Sequence, residues 1–257
     1  MGPSSRVLIG IIIGAFALAL FGGCAEKAEK AKPTRTKPTS RAEQTLVDLA
    51  DRYAELDSFS ERTRITRTVS SPDGDEAATY HTEFSFRRPN HILYQFANQD
   101  TNVIACNGQR LIVYSSADGG YVEQEPPESL AAFLRDHHAD SIGVDELLLL
   151  AGGDPLEALD NVTLAEGESL DNKPMQVITA NVKQLAERGS DEPATGTQSL
   201  WVGEDDGLLY KTVLEITRGQ AMLRIEEVME APVADPDLSD GLFEYQPPEG
   251  AKNLTQQ

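Results

Sequence analysis

The stretch Tyr80-His-Thr-Glu-Phe-Ser-Phe-Arg-Arg-Pro-Asn-His-Ile-Leu-Tyr-Gln-Phe96 decides the fold. Tyr80, Thr82, Phe84 and Phe86 alternate with His81, Glu83 and Ser85, and after the break at Pro89-Asn90 the residues Ile92, Tyr94 and Phe96 repeat the pattern. Side chains two apart share one face of a strand, so the spacing predicts adjacent strands with one apolar face. Upstream, the alternation Phe59, Thr63, Ile65, Val69 runs into the turn signal Ser71-Pro-Asp-Gly74. Downstream, Val103 to Ala105 and Arg110 to Tyr114 flank Asn107-Gly108, which predicts a two-residue type I′ hairpin turn. Strand patterns return at Val162 to Leu164, Gln176 to Thr179, Ser199 to Val202, Leu208 to Thr217 and Ala221 to Val228, with Asp205-Asp-Gly207 and Arg218-Gly-Gln220 as turns. Lys183 to Gly196 reads as a polar, mobile loop.

Helical spacing interrupts this antiparallel meander in a few places. Ser40-Arg-Ala-Glu43 has the capping-box pattern, and Leu46, Leu49, Ala50, Tyr53 and Leu56 follow at intervals of three and four. Leu130, Phe133 and Leu134 form a second such group, and Val144, Leu147, Leu148 and Ala151 a third that stops at Gly152-Gly153. Asp154-Pro155 can start a further turn. The fold class is therefore α+β, mainly β.

Composition narrows the function. The 257 residues carry a net charge of -20, which argues against nucleic acid because phosphate contacts need clustered Lys and Arg. Two cysteines cannot build a disulfide scaffold or a Cys-rich zinc site. Residues 1–23 read as a signal peptide: Arg6 gives a positive start, and Val7 to Phe21 is an apolar run shorter than the roughly 20 residues of a spanning helix. Its end, Phe21-Gly-Gly-Cys24, resembles a bacterial lipobox, with Phe21 where Leu is usual, so Cys24 is the expected lipidation site; an uncleaved N-terminal anchor is the alternative. Residues 24–40 form a flexible linker, and 41–257 a single domain. The linker holds Lys27, Lys30, Lys32, Arg35 and Lys37 against Glu26 and Glu29, whereas the domain is strongly acidic, so the tether can lie on anionic headgroups that repel the body.

No catalytic or phosphate-binding motif is present. His137 and His138, between Asp136 and Asp140, point in different directions on a helix and do not make a metal site. Asp235, Asp237 and Asp240 fail the calcium-loop count, because the sixth and twelfth places are Asp240 and Gln246 instead of Gly and Glu. Cys106 reads as a small buried residue at a strand end, with a partner-forming thiol as the other possibility. No cofactor is implied, and the chain is not expected to be an enzyme.

The order of elements, together with Phe86-Arg-Arg-Pro-Asn90, Cys106-Asn-Gly-Gln-Arg-Leu-Ile-Val-Tyr114 and the end Phe243-Glu-Tyr-Gln-Pro-Pro-Glu-Gly250, resembles the LolA/LolB lipoprotein-carrier superfamily, and more closely its periplasmic relatives of unassigned function. The resemblance implies a strongly curved antiparallel sheet, an incomplete barrel of about 11 strands, wrapping a helical plug. It also implies a membrane-anchored, non-enzymatic protein of the cell envelope, facing the periplasm from the outer membrane, whose partners are acyl chains or lipoproteins. Carried onto this sequence, the acyl-binding face would comprise Ile65, Tyr80, Phe84, Phe86, Tyr94 and Phe96, with Leu130, Phe133, Leu134 and Leu147 on the plug. Plain core packing is the competing explanation for the same residues. The exposed apolar loop of LolB has no counterpart in the polar tips Ala97 to Thr101 and Ser115 to Gly120. A regulatory or protein-interaction module of the same fold, as in envelope-stress regulators, is the alternative function, and an unrecognised enzyme the third.

Overall fold

The computed structural model describes residues 35–97, 102–137, 142–183 and 194–255. The signal segment, Cys24, the loop tip at 98–101, His138, Asp140 and most of the predicted loop 183–196 lie outside them.

Helix α1 (Arg41–Glu55) starts where the capping box places it. Ser40 Oγ accepts from the Glu43 amide, and Glu43 reaches back to the Ser40 amide. Its apolar stripe, Leu46, Val47, Leu49, Ala50 and Tyr53, is buried. The chain then makes β1 (Ser58–Ser71), β2 (Gly74–Arg87), β3 (His91–Ala97), β4 (Asn102–Asn107), β5 (Leu111–Ser115) and β6 (Gly120–Gln124). Three short helices follow: α2 (Leu130–His137), α3 (Glu146–Leu150) and α4 (Pro155–Ala158). The second run of strands is β7 (Leu159–Leu170), β8 (Lys173–Val182), β9 (Ala194–Gly203), β10 (Leu209–Arg218) and β11 (Ala221–Met229), and the two-residue strands β12 (Val233–Ala234) and β13 (Lys252–Asn253) close the chain.

All strands among the described residues belong to one curved, open sheet that does not close into a barrel. Two antiparallel meanders, β1 to β6 and β7 to β11, are joined where β1 pairs with β11, leaving β7 at one edge and β13, parallel to β6, at the other. Eleven of the strands among the described residues are five residues or longer, in line with the about 11 that the resemblance implies.

Three details differ from that expectation. Strand β6 was not foreseen, because Gly-Tyr-Val-Glu-Gln offers two adjacent apolar residues and no alternation. Ala194 to Gly196 belong to β9, where they pair with Arg218, Thr217 and Ile216. The hairpin after β4 turns on Gly108-Gln109, one place later than predicted, since Cys106 faces Leu111. Of the two loop residues only Gly108 has positive φ, at 82°, whereas a type I′ turn needs it at both. Asn107 acts through its side chain instead: its Oδ1 accepts from the amides of Gln109 (2.9 Å) and Arg110 (3.0 Å).

The sheet's inner face holds the main core. Phe59, Phe84, Phe86, Ile92, Cys106 and Leu111 pack there with α1, α2 and α3. On the outer face a small second core forms where the C-terminal tail lays Phe243 over Leu93, Val103 and Ala105. Arg87 fixes that tail by donating to the Leu238 carbonyl (2.8 Å) and stacking over the Phe243 ring. Cys106 is buried and carries a free thiol, which burial makes harder to ionise. No helix among the described residues is long and apolar enough to cross a membrane.

Candidate functional site: the inner face and its plug

Strand pairing places all six predicted strand residues on the inner face. Phe86 faces Ile92, Phe84 faces Tyr94, Thr82 faces Phe96, and Tyr80 faces Ile65. The ten candidates nevertheless fall into two groups. Phe84, Phe86, Leu130, Phe133 and Leu147 are buried in the main core against α1 and one another. Ile65, Tyr80, Tyr94, Phe96 and Leu134 are half-buried. An aromatic chain joins the groups edge to face, from Phe84 to Tyr94 (5.7 Å between centroids) and on to Phe96 (4.7 Å).

The half-buried group continues along the sheet. Val69 faces Leu223, Leu223 faces Ile216, and Ile225 faces Leu214, all on the inner side. Of these, Val69, Leu223, Ile216 and Ile225 are half-buried. The inner face thus has a closed end under the helices and an open, mainly apolar end beyond them, in which Arg67, between Ile65 and Val69, is exposed.

The plug is fixed by polar side chains that alternation alone could not single out. Arg88, in the Arg-Arg-Pro corner, donates to the carbonyls of Leu56 (2.7 Å) and Ala54 (2.8 Å) at the end of α1, and to that of Leu150 (2.9 Å) at the end of α3. One guanidinium therefore caps the C-termini of two helices, where unpaired carbonyls attract a cation. Tyr53 is buried, and its hydroxyl accepts from the Leu209 amide (3.0 Å), supplying a partner beside the register shift between Leu209 and Lys211. Gln198, 4% exposed, grips the chain entering α3: Oε1 accepts from the Val144 amide (2.8 Å) and Nε2 donates to the Val144 carbonyl (2.7 Å). Gly143 is needed beside it, because its φ is 81° and a Cβ would clash with Gln198 Oε1.

Three carboxyl groups lie between the plug and the sheet. Glu61 is 5% exposed and Glu146 8%, while Glu227 is half-buried as a residue. Thr63 Oγ1 donates to Glu61 Oε1 (3.1 Å), and Thr212 Oγ1 donates to Glu227 Oε2 (3.0 Å). Burial raises the Glu61 carboxyl to about 8 and the Glu227 carboxyl to about 7, and pushes that of Glu146 well above the usual carboxylate range. The sequence carried one signal for them: Glu61 occupies an inward place in the alternation Phe59, Glu61, Thr63, Ile65. Among the described residues no group of three or more His, Cys, Asp or Glu is arranged to hold a metal ion. His137 closes α2. Asp235 accepts from the amides of Asp57 and Ser58, at the start of β1. A small surface pocket lined by Lys37, Thr39, Asn161 and Lys183 lies beside the segment before α1, away from the inner face. That segment is itself tied down, since Arg35 donates to Asp51 (2.7 Å) and to the Gly153 carbonyl (2.6 Å).

Comparison with known proteins gives similar chains of low identity. A LolA superfamily protein from Nitrosomonas europaea is 13% identical, with 79% of this chain and 97% of that one covered and a TM-score of 0.32. The lipoprotein LppX of Mycobacterium tuberculosis is 14% identical, with 74% and 96% covered and a TM-score of 0.41. An uncharacterized conserved protein from Thermus thermophilus is 7% identical, with 83% and 98% covered and a TM-score of 0.43. No curated protein matches the sequence. The family model described as "Predicted periplasmic protein (DUF2092)" matches residues 42–255, nearly the whole folded domain, and the chain belongs to that family.

Proposed function

We propose that this protein is a non-enzymatic cell-envelope carrier or receptor that holds an acyl chain, free or as part of a lipoprotein, on the open end of the inner face. The observation that carries the reading is the run of half-buried apolar side chains beyond the plug, from Tyr94 and Phe96 through Tyr80 and Ile65 to Val69, Leu223 and Ile225. An acyl chain is linear and apolar, and covering such a strip with it removes water from both at about 25 cal/mol per Å². Saturable binding of a fluorescent fatty acid by the purified protein is expected. Phe96→Asp should weaken it at least ten-fold while the circular dichroism spectrum stays unchanged. A wild-type protein that binds no such probe at any concentration refutes the reading.

The anchor belongs to the same proposal. Cys24, acylated after cleavage of residues 1–23, would hold the domain at the outer membrane, since several chains at about 0.8 kcal/mol per buried CH₂ bind stably where one does not. Cys24→Ser should accumulate uncleaved precursor in membrane extracts. Normal processing of that variant would remove the lipid anchor from the proposal.

A further inference from the structure

We infer that Glu61 and Glu146 form a proton-sharing latch that holds helix α3 against the sheet and loosens when the shared proton leaves. Three observations carry this. Glu61 stands on β1 and Glu146 in the first turn of α3, both more than nine-tenths buried, with their carboxyl groups close enough to share a hydrogen bond. Two carboxyl groups can do so only if one of them keeps its proton. Glu61 Oε1 already takes the Thr63 hydroxyl, whereas Glu61 Oε2 is buried and accepts from no donor among the described residues. A proton shared with Glu146 satisfies that oxygen without a further side chain.

The charges acting most on the pair are Glu227 from β11 and Asp145 immediately before α3, both negative. Tyr53 of α1 and Tyr94 of β3 also lie within the field of these carboxyls, and their phenols are held neutral by burial and by those same charges. Thr63 and Thr212 contribute only hydroxyls. Losing the proton therefore leaves two buried negative charges close together with a third nearby, a repulsion that burial keeps strong. Helix α3 spans only five residues and is secured at its start by Asp145 and Gln198, at its finish by Arg88 and between them by Leu147, Leu149 and Leu150 in the main core, and the repulsion works against these contacts. When it lifts, Leu147, Leu149 and Leu150 leave the inner face, and the closed end becomes continuous with the open one.

The sign follows from linkage. In the latched state a carboxyl keeps its proton up to about pH 8, whereas in the opened state both titrate near the ordinary 4.5. The latch is therefore firm at mildly acidic pH and weakens as pH rises, with the opening equilibrium growing up to about ten-fold per pH unit until the pair has ionised. As a control on access to an acyl site the latch rests on the reading above. Its test reads α3 directly, so the two can fail separately.

The experiment is amide hydrogen exchange of the intact protein, followed by mass spectrometry on peptides covering 144–151 between pH 5.5 and 8.5 and corrected for the intrinsic pH dependence of exchange. Protection of α3 is expected to fall at least ten-fold across that range, with α1 unchanged. In Glu61→Gln/Glu146→Gln the amides replace the proton-requiring bond, and the dependence should shrink to the smaller part that Glu227 supplies. Wild-type protection that stays within two-fold over the range overturns the latch, even if the double variant fails to fold. A folded double variant with undiminished pH dependence overturns it as well.

Discussion

Arg88→Met is expected to destabilise the domain by about 3 kcal/mol or more, the loss of several hydrogen bonds from one charged group whose carbonyl partners stay partly buried. For a chain of this size that corresponds to a fall in Tm of roughly 6 to 12 °C. Methionine keeps the length and much of the apolar stem, so packing over the Phe86 ring changes little and the loss reports on capping. Arg88→Lys should recover only a minority of the loss, because one ammonium cannot span the ends of α1 and α3 in the fixed fork that the guanidinium uses. Urea unfolding of the three proteins checks this. A Met variant as stable as the wild type would show that the two helix ends do not depend on that cation.

Phe133→Ala is expected to cost about 3 to 5 kcal/mol, the full range for a buried aromatic ring, because Phe133 is 3% exposed and belongs to the main core. Its neighbour on α2, Leu134, is half-buried, and Leu134→Ala should cost clearly less. The contrast bears on function: side chains in the closed end contribute packing, and only those in the open end have surface left for a ligand. A mild loss for Phe133→Ala, together with altered fatty-acid binding, would move the binding space under the plug and redraw the boundary between the two groups.

The sequence determined most of the strands and one helix start. Period-two alternation from Tyr80 to Phe96 reports which residues share a face, and the structure puts Tyr80, Phe84, Phe86, Tyr94 and Phe96 on one side as that period requires. Ser40 and Glu43 set the first helix because a capping box is satisfied within four residues. Local patterns of this kind need no knowledge of distant chain. Strand β6 escaped because it lacks the alternation, and the hairpin at Gly108 shifted because the Asn107 side chain took over backbone donors. Only the tertiary structure decided which inward residues are sealed and which stay open, because burial depends on where α2 and α3 end over the sheet. It alone brought Arg88 to the Leu150 carbonyl, 62 residues away, and Gln198 to Val144, 54 residues away. The meeting of Glu61, Glu146 and Glu227 is of the same kind. Each is an ordinary glutamate in the sequence, and the burial that raises their carboxyls above the ordinary range exists only once β1, α3 and β11 have packed together.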